Sequence, residues 1–210
     1  MGPQPVVDQI YLIRHGETAW SLSGQYTGRT DVPLTERGEQ QARQLGELLR
    51  VTRFSQVLVS PLQRARRTCE LAGLGGKARV DHALREWDYG DYEGLTGAQI
   101  HAQRADWDVF RDGCPGGESS EQMCERIGAA LSQLRPMQGR VAIFSHGHFL
   151  RALAVRWIEL PILHGRNFGL DTGALSMLAY EHDNVHEPAI ELWNAASNEV
   201  FDLRSHDQHS

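Results

Sequence analysis

Apolar residues fall along this 210-residue chain in two rhythms. Short unbroken apolar runs end abruptly in loops: Gln9–Ile13 (QIYLI), Gln56–Ser60 (QVLVS) and Val141–Ser145 (VAIFS) each predict a buried strand. Ala174–Tyr180 (ALSMLAY) and Ala189–Asn194 (AIELWN) predict later strands. Between these runs the spacing becomes helical. Thr35, followed by Glu36 and Glu39, opens a helix with Ala42, Leu45, Leu48 and Leu49 on one face. Pro61 starts another through Ala72. Ser119 or Ser120 caps a third, whose apolar side carries Met123, Ile127, Ala130, Leu131 and Leu134, and a fourth spans Phe149–Trp157. Strands alternating with helices predict an α/β three-layer sandwich, a mostly parallel central sheet flanked by helices. A single domain over residues 1–210 is expected, with frayed ends at Met1–Pro5 and Ser205–Ser210.

Charge narrows the partners. The net charge of -6 argues against a broad basic surface, so no nucleic-acid partner is expected. An acidic protein that binds anions must instead concentrate its arginines locally. Cys69, Cys114 and Cys124 have neither metal-ligand nor redox spacing, and an odd count fits a reducing compartment. The start MGPQPVV lacks the basic and apolar regions of a signal peptide and the hydroxyl residue of a myristoylation signal. No apolar run approaches membrane-spanning length. A cytoplasmic location without a membrane partner is the expectation.

In α/β folds ligands bind at the carboxyl ends of strands, and that is where the polar candidates lie. Arg14 and His15 follow the first strand, and a neutral imidazole there can take a phosphoryl group covalently. Gly16 is expected to let the backbone approach a ligand. Arg64, Arg66 and Arg67 open the helix after the second strand, Arg64 nearest its end; a guanidinium there adds bidentate donors for phosphate oxygens. In LREWDYGDYEG (Leu84–Gly94), Glu86 sits among aromatics, where burial and a nearby phosphate dianion would favour its protonated form and suit a general acid. The same Trp and Tyr residues could line either a pocket or the interface of a homo-oligomer. His146 and Gly147 repeat the His-Gly arrangement after the third strand. The two-residue step from His146 to His148 has no third or fourth ligand at recognisable spacing, so neither metal nor cofactor is expected.

Taken together, LIRHGET (Leu12–Thr18), SPLQRARRT (Ser60–Thr68), LREWDYGDYEG and FSHGHFLR (Phe144–Arg151) resemble the motifs of the histidine phosphatase superfamily, also called phosphoglycerate mutase-like, over nearly the whole chain. The placement of the acid in LREW and the SHGH motif look like its mutase-type branch. The resemblance implies that His15 becomes phosphohistidine, that Arg14, Arg64 and His146 surround the phosphoryl group, and that Glu86 is the proton donor.

Further stretches, among them Trp20–Thr35, Phe110–Cys114 and Tyr180–Leu192, look like the sedoheptulose-1,7-bisphosphatase group. That resemblance implies a small phosphorylated metabolite as partner, with contacts from Tyr26, Thr27, Arg64, Glu86, Tyr89, Arg151 and His182, joined by Gly147. Arg151 is a candidate for a second phosphate; as a bare helix arginine it would be solvated. Gly113–Ser119 (GCPGGES) also resembles general phosphatases, leaving a broad-specificity phosphomonoesterase as an alternative. A cofactor-dependent phosphoglycerate mutase is a further one, although the stretch between Glu86 and His146 looks short for a mutase's substrate-clamping insert.

Overall fold

The structure, a computed structural model, describes residues 7–196, so the fraying expected at Met1–Pro5 and Ser205–Ser210 lies outside the described residues. Its strands are β1 (Val7–Arg14), β2 (Gln56–Val59), β3 (Ala78–Val80), β4 (Gly139–Ser145), β5 (Leu175–Tyr180) and β6 (Pro188–Ala195). They form one sheet in the order β3-β2-β4-β1-β5-β6. β3, β2, β4 and β1 run parallel, whereas β5 is antiparallel to β1 and β6 to β5. The apolar runs account for the centre: Ile10 and Leu12 of β1 enter one core, Tyr11 and Ile13 the other.

Helices cover both faces. On the Tyr11 and Ile13 face lie α2 (Glu36–Leu49) and α3 (Gln63–Leu71), after the short α1 (Ala19–Ser23). Thr35 Oγ1 accepts from Gly38 N–H at 3.1 Å and starts α2, which buries the expected Ala42, Leu45, Leu48 and Leu49. Truncating the fully buried Leu45 to alanine would cost about 2–5 kcal/mol. The next helix begins two residues later than Pro61 predicts. Its own N-cap, Leu62, has no capping side chain, and Asp31 Oδ1 from a distant loop accepts from Gln63 N–H at 2.8 Å instead.

The opposite face carries α6 (Ser120–Leu134) and α7 (Gly147–Trp157), with α4 (Gly97–Gln103) and α5 (Val109–Asp112) in the segment between β3 and α6. Ser119 caps α6 through a reciprocal bond with Gln122. Trp87, Tyr89 and Tyr92 are buried here, so these aromatics build core and pocket rather than a subunit interface. The loop bearing Glu86 is locked to the loop before α6. Glu118 N–H donates to Asp88 O and Asp91 N–H to Pro115 O, both at 2.8 Å. A Cβ on Gly117 would come within 2.3 Å of Asp88 O, so only glycine permits this approach.

Candidate active site

The carboxyl end of β1 delivers His15 into a buried position. Its backbone N–H bonds Ser145 O and its carbonyl accepts from Gly173 N–H, each at 3.0 Å. The ring Nδ1 lies 2.8 Å from Gly16 O. A carbonyl can only accept, so Nδ1 carries the proton and Nε2 keeps the lone pair. Burial, then the charges of Arg64 and Arg14, hold His15 well below the usual imidazole pKa of 6.5, and the ring is neutral near pH 7. Gly16 is also required by packing. A Cβ there would sit 2.3 Å from Gly38 O, so this glycine admits the backbone of α2.

Arg14 reaches over the same site and donates through Nη1 to Leu170 O. Its Nε is buried and has no hydrogen-bond partner, the one such side-chain atom among the described residues. A buried unmatched donor costs about 1–3 kcal/mol, more if charged, until an acceptor arrives. Gly147 makes room for this guanidinium, since a Cβ would lie 3.3 Å from Arg14 Nε. Both residues, with His15 and Glu86, line one cavity of about 370 Å³.

Glu86 approaches from the other wall. Its carboxylate accepts from Trp87 N–H at 3.0 Å, His148 N–H at 3.0 Å and Phe149 N–H at 2.9 Å. It thereby caps α7, for which the N-cap residue His146 provides no side-chain bond. Tyr26, Thr27, Tyr89 and Arg151 line the same cavity. Arg151 is fixed by Nε donating to Gly165 O at 2.9 Å and by packing 4.9 Å from the centre of the Phe110 ring.

Arg64 and His146 sit one layer deeper, both fully buried. Arg64 donates to Thr27 O at 2.9 Å, Gly28 O at 3.1 Å, Thr30 O at 3.0 Å and His146 Nδ1 at 3.2 Å. It therefore pins the loop that carries Tyr26 and Thr27, while its charge acts on His15.

His182 is not brought to the site. It is exposed, with Nδ1 3.3 Å from Glu187. The reason is strand direction: β5 opposes β1 with Ala179 beside Gln9. The turn after Tyr180 thus lies beyond the start of β1, roughly 24 Å from its Arg14 end at about 3.4 Å per residue.

Comparison with known proteins assigns the family. The sequence profile of the histidine phosphatase superfamily (branch 1) matches residues 10–196. The chain belongs to this superfamily. It is 43% identical over 178 residues to an acid phosphatase of Mycobacterium tuberculosis, covering 83% of this chain and 87% of that one. It is 33% identical over 245 aligned residues to the sedoheptulose 1,7-bisphosphatase of Saccharomyces cerevisiae, covering 86% and 90%. The solved structure of the Mycobacterium tuberculosis open reading frame Rv3214 superposes with a TM-score of 0.83 at 38% identity, over 90% of this chain and 98% of that one. The protein is a phosphoric monoester hydrolase of the histidine phosphatase kind.

Two features of this histidine phosphatase were not read from its sequence. The first is the charge state of His146: burial, followed by Arg64, holds it well below 6.5 and neutral, so it adds no positive charge beside His15. Because Nδ1 accepts from Arg64, Nε2–H donates to Ser60 Oγ at 2.7 Å, and the ring acts as a relay of hydrogen bonds. His148, weighed only as a metal ligand, instead lines the cavity with Nδ1 2.7 Å from Tyr89 Oη. The His-x-His step was its signal. Among the described residues no group of three His, Cys, Asp or Glu side chains is arranged to hold a metal ion. Nor is any described helix long and apolar enough to cross a membrane.

Proposed function

We propose that this phosphatase hydrolyses a small phosphorylated sugar, a sugar bisphosphate such as sedoheptulose 1,7-bisphosphate, through phosphohistidine at His15 in the cytoplasm. The observation that carries the reading is the unmatched Arg14 Nε in one cavity with the His15 ring and the Glu86 carboxyl group. A phosphate oxygen supplies the acceptor that the guanidinium lacks. The His15 Nε2 lone pair attacks phosphorus in line while the ester P–O bond breaks, and Glu86 gives its proton to the departing sugar oxygen. Glu86 then takes a proton from water as that water attacks phosphorus. The N–P bond breaks, its electron pair returns to Nε2, and inorganic phosphate leaves.

Arginine charge does the work a metal would do elsewhere, and losing one such donor costs about 10²–10³ in rate. Tyr26, Tyr89 and His148 form an aromatic wall suited to a sugar face, and Arg151 offers a second cation for a second phosphate. The relative named as a sedoheptulose 1,7-bisphosphatase supports this choice. The 43% identity to an acid phosphatase favours broad phosphomonoesterase activity as the second reading.

Phosphate release from sedoheptulose 1,7-bisphosphate, fructose 1,6-bisphosphate, 3-phosphoglycerate and p-nitrophenyl phosphate, with EDTA present, tests both. A strong bisphosphate preference abolished in His15→Ala is expected. Comparable rates on every ester would replace the sugar reading with the broad one, and activity persisting in His15→Ala would refute the mechanism.

A further inference from the structure

An ion pair outside the cavity wall lies directly behind Glu86. Arg126 of α6 donates through Nε to Glu118 Oε1 at 2.8 Å and through Nη2 to Glu118 Oε2 at 2.7 Å. Nη1 donates to Ala83 O at 2.8 Å and Arg85 O at 2.7 Å, and Nη2 also to Glu86 O at 3.3 Å. Those five bonds match the five N–H donors of a guanidinium. The peptide carbonyls on either side of the Glu86 Cα are thus tied to one rigid, planar group.

The opposite end of the tie is equally fixed. Glu118 N–H donates to Asp88 O at 2.8 Å, and Trp87 Nε1–H donates to Glu118 O at 2.8 Å. Arg126 Cζ also lies 5.1 Å from the centre of the Phe149 ring, and Phe149 N–H is one of the donors to the Glu86 carboxylate. Both ends of Glu86, its backbone and its carboxylate, are therefore referenced to Arg126. Side-chain exposure of 16% for Arg126 and 14% for Glu118 keeps this ion pair largely out of solvent, where its geometry is stiff.

We infer that Arg126, paired with Glu118, is a positioning residue that aims Glu86 at the leaving-group oxygen. The inference rests on the reading of Glu86 as proton donor and extends it to a residue that touches neither substrate nor reacting atoms. A lysine would keep the charge but not the five-donor fork, so Arg126→Lys is predicted to loosen Glu86 while leaving the fold in place.

The consequence depends on the leaving group. An alkoxide needs the proton, whereas p-nitrophenolate departs as a stabilised anion. The value of kcat/KM reports only the steps up to phosphohistidine, before Glu86 is needed as a base. Arg126→Lys and Arg126→Ala should therefore lose about 10²-fold in kcat/KM on fructose 1,6-bisphosphate, but stay within about fivefold of wild type on p-nitrophenyl phosphate. Arg126 and Glu118 also line a cavity of about 730 Å³ on the outer side of Glu86. Added guanidinium ion can enter there, and about tenfold recovery is expected in Arg126→Ala and none in wild type.

Glu118→Gln, which breaks the ion pair at nearly constant shape, carries the same signature should Arg126→Ala fail to fold. Equal losses on both substrates, or no loss on either, would overturn the inference. Glu86→Gln run in parallel separates the two levels. If Glu86→Gln itself shows no dependence on leaving group, the reading of Glu86 falls and the inference with it. If Glu86→Gln shows that dependence and the Arg126 and Glu118 variants do not, the inference alone falls.

Discussion

His15, His146 and His148 make the folded protein sensitive to mild acid. Burial is the main reason all three are held well below 6.5, aided by Arg64 for His15 and His146 and by Arg151 for His148. The fold keeps them neutral, while the unfolded chain binds a proton on each near 6.5. Their stabilisation is complete above that pH and is lost progressively as pH falls below it. Each group contributes a slope of up to about 1.4 kcal/mol per pH unit, so the three together reach about 4 kcal/mol per unit just below pH 6. Asp112, held low by its bond to Arg111, titrates below this window and does not confuse it. His146→Asn isolates one contribution, because the amide oxygen takes the place of Nδ1 and can still accept from Arg64 Nε. Urea unfolding followed by tryptophan fluorescence at about pH 7.5, 6.5 and 5.5 measures the slope, which between about pH 6.5 and 5.5 should drop in the variant by about 1 kcal/mol per unit. A stability profile flat from pH 7 to 5, or an identical slope in the variant, would refute the reasoning.

Other expectations follow from the site. Arg64→Gln removes a charge that depresses the His15 pKa, so the acid limb of kcat/KM should move to higher pH; an unmoved limb in a pH-rate profile would exclude that influence. His182→Ala should leave kcat/KM within about twofold on every substrate, because the turn carrying it is at the wrong end of the sheet. Gly16→Ala forces a Cβ against Gly38 O and should cost about 1–3 kcal/mol or more, seen as a lower Tm in calorimetry. Arg14→Ala should cut kcat/KM by about 10²–10³ while raising Tm or leaving it unchanged, since it deletes a buried unmatched donor.

The parts of the fold legible in the sequence are those where one residue pattern answers to one environment. The run Ile10–Ile13 is apolar on both sides because β1 has core on both sides. Leu45 and Leu49 recur at helical spacing because α2 buries one stripe. Ala78–Val80 escaped because a strand with partly and fully exposed residues at the sheet edge needs no apolar run. The site shows the same division. Arg14, His15 and Glu86 could be placed by their position after a strand or among aromatics, since local context puts them there. His182 could not, because strand alternation does not record whether β5 runs up or down. The depth of Arg64 and His146 was equally hidden: carbonyls of Thr27, Gly28 and Thr30 from a distant loop hold Arg64, and Arg64 with Ser60 holds His146.

The unmatched Nε of Arg14 has a consequence beyond turnover. A fold that keeps a charged donor waiting gains stability from whichever phosphate compound fills the gap, because such a ligand binds the folded chain and not the unfolded one. At about a hundredfold excess over Kd that gain is about 2.7 kcal/mol. The population of chains open to proteolysis falls by the same factor of about a hundred. The amount of enzyme that survives would then follow the concentration of its own substrates and product, with no regulatory domain involved.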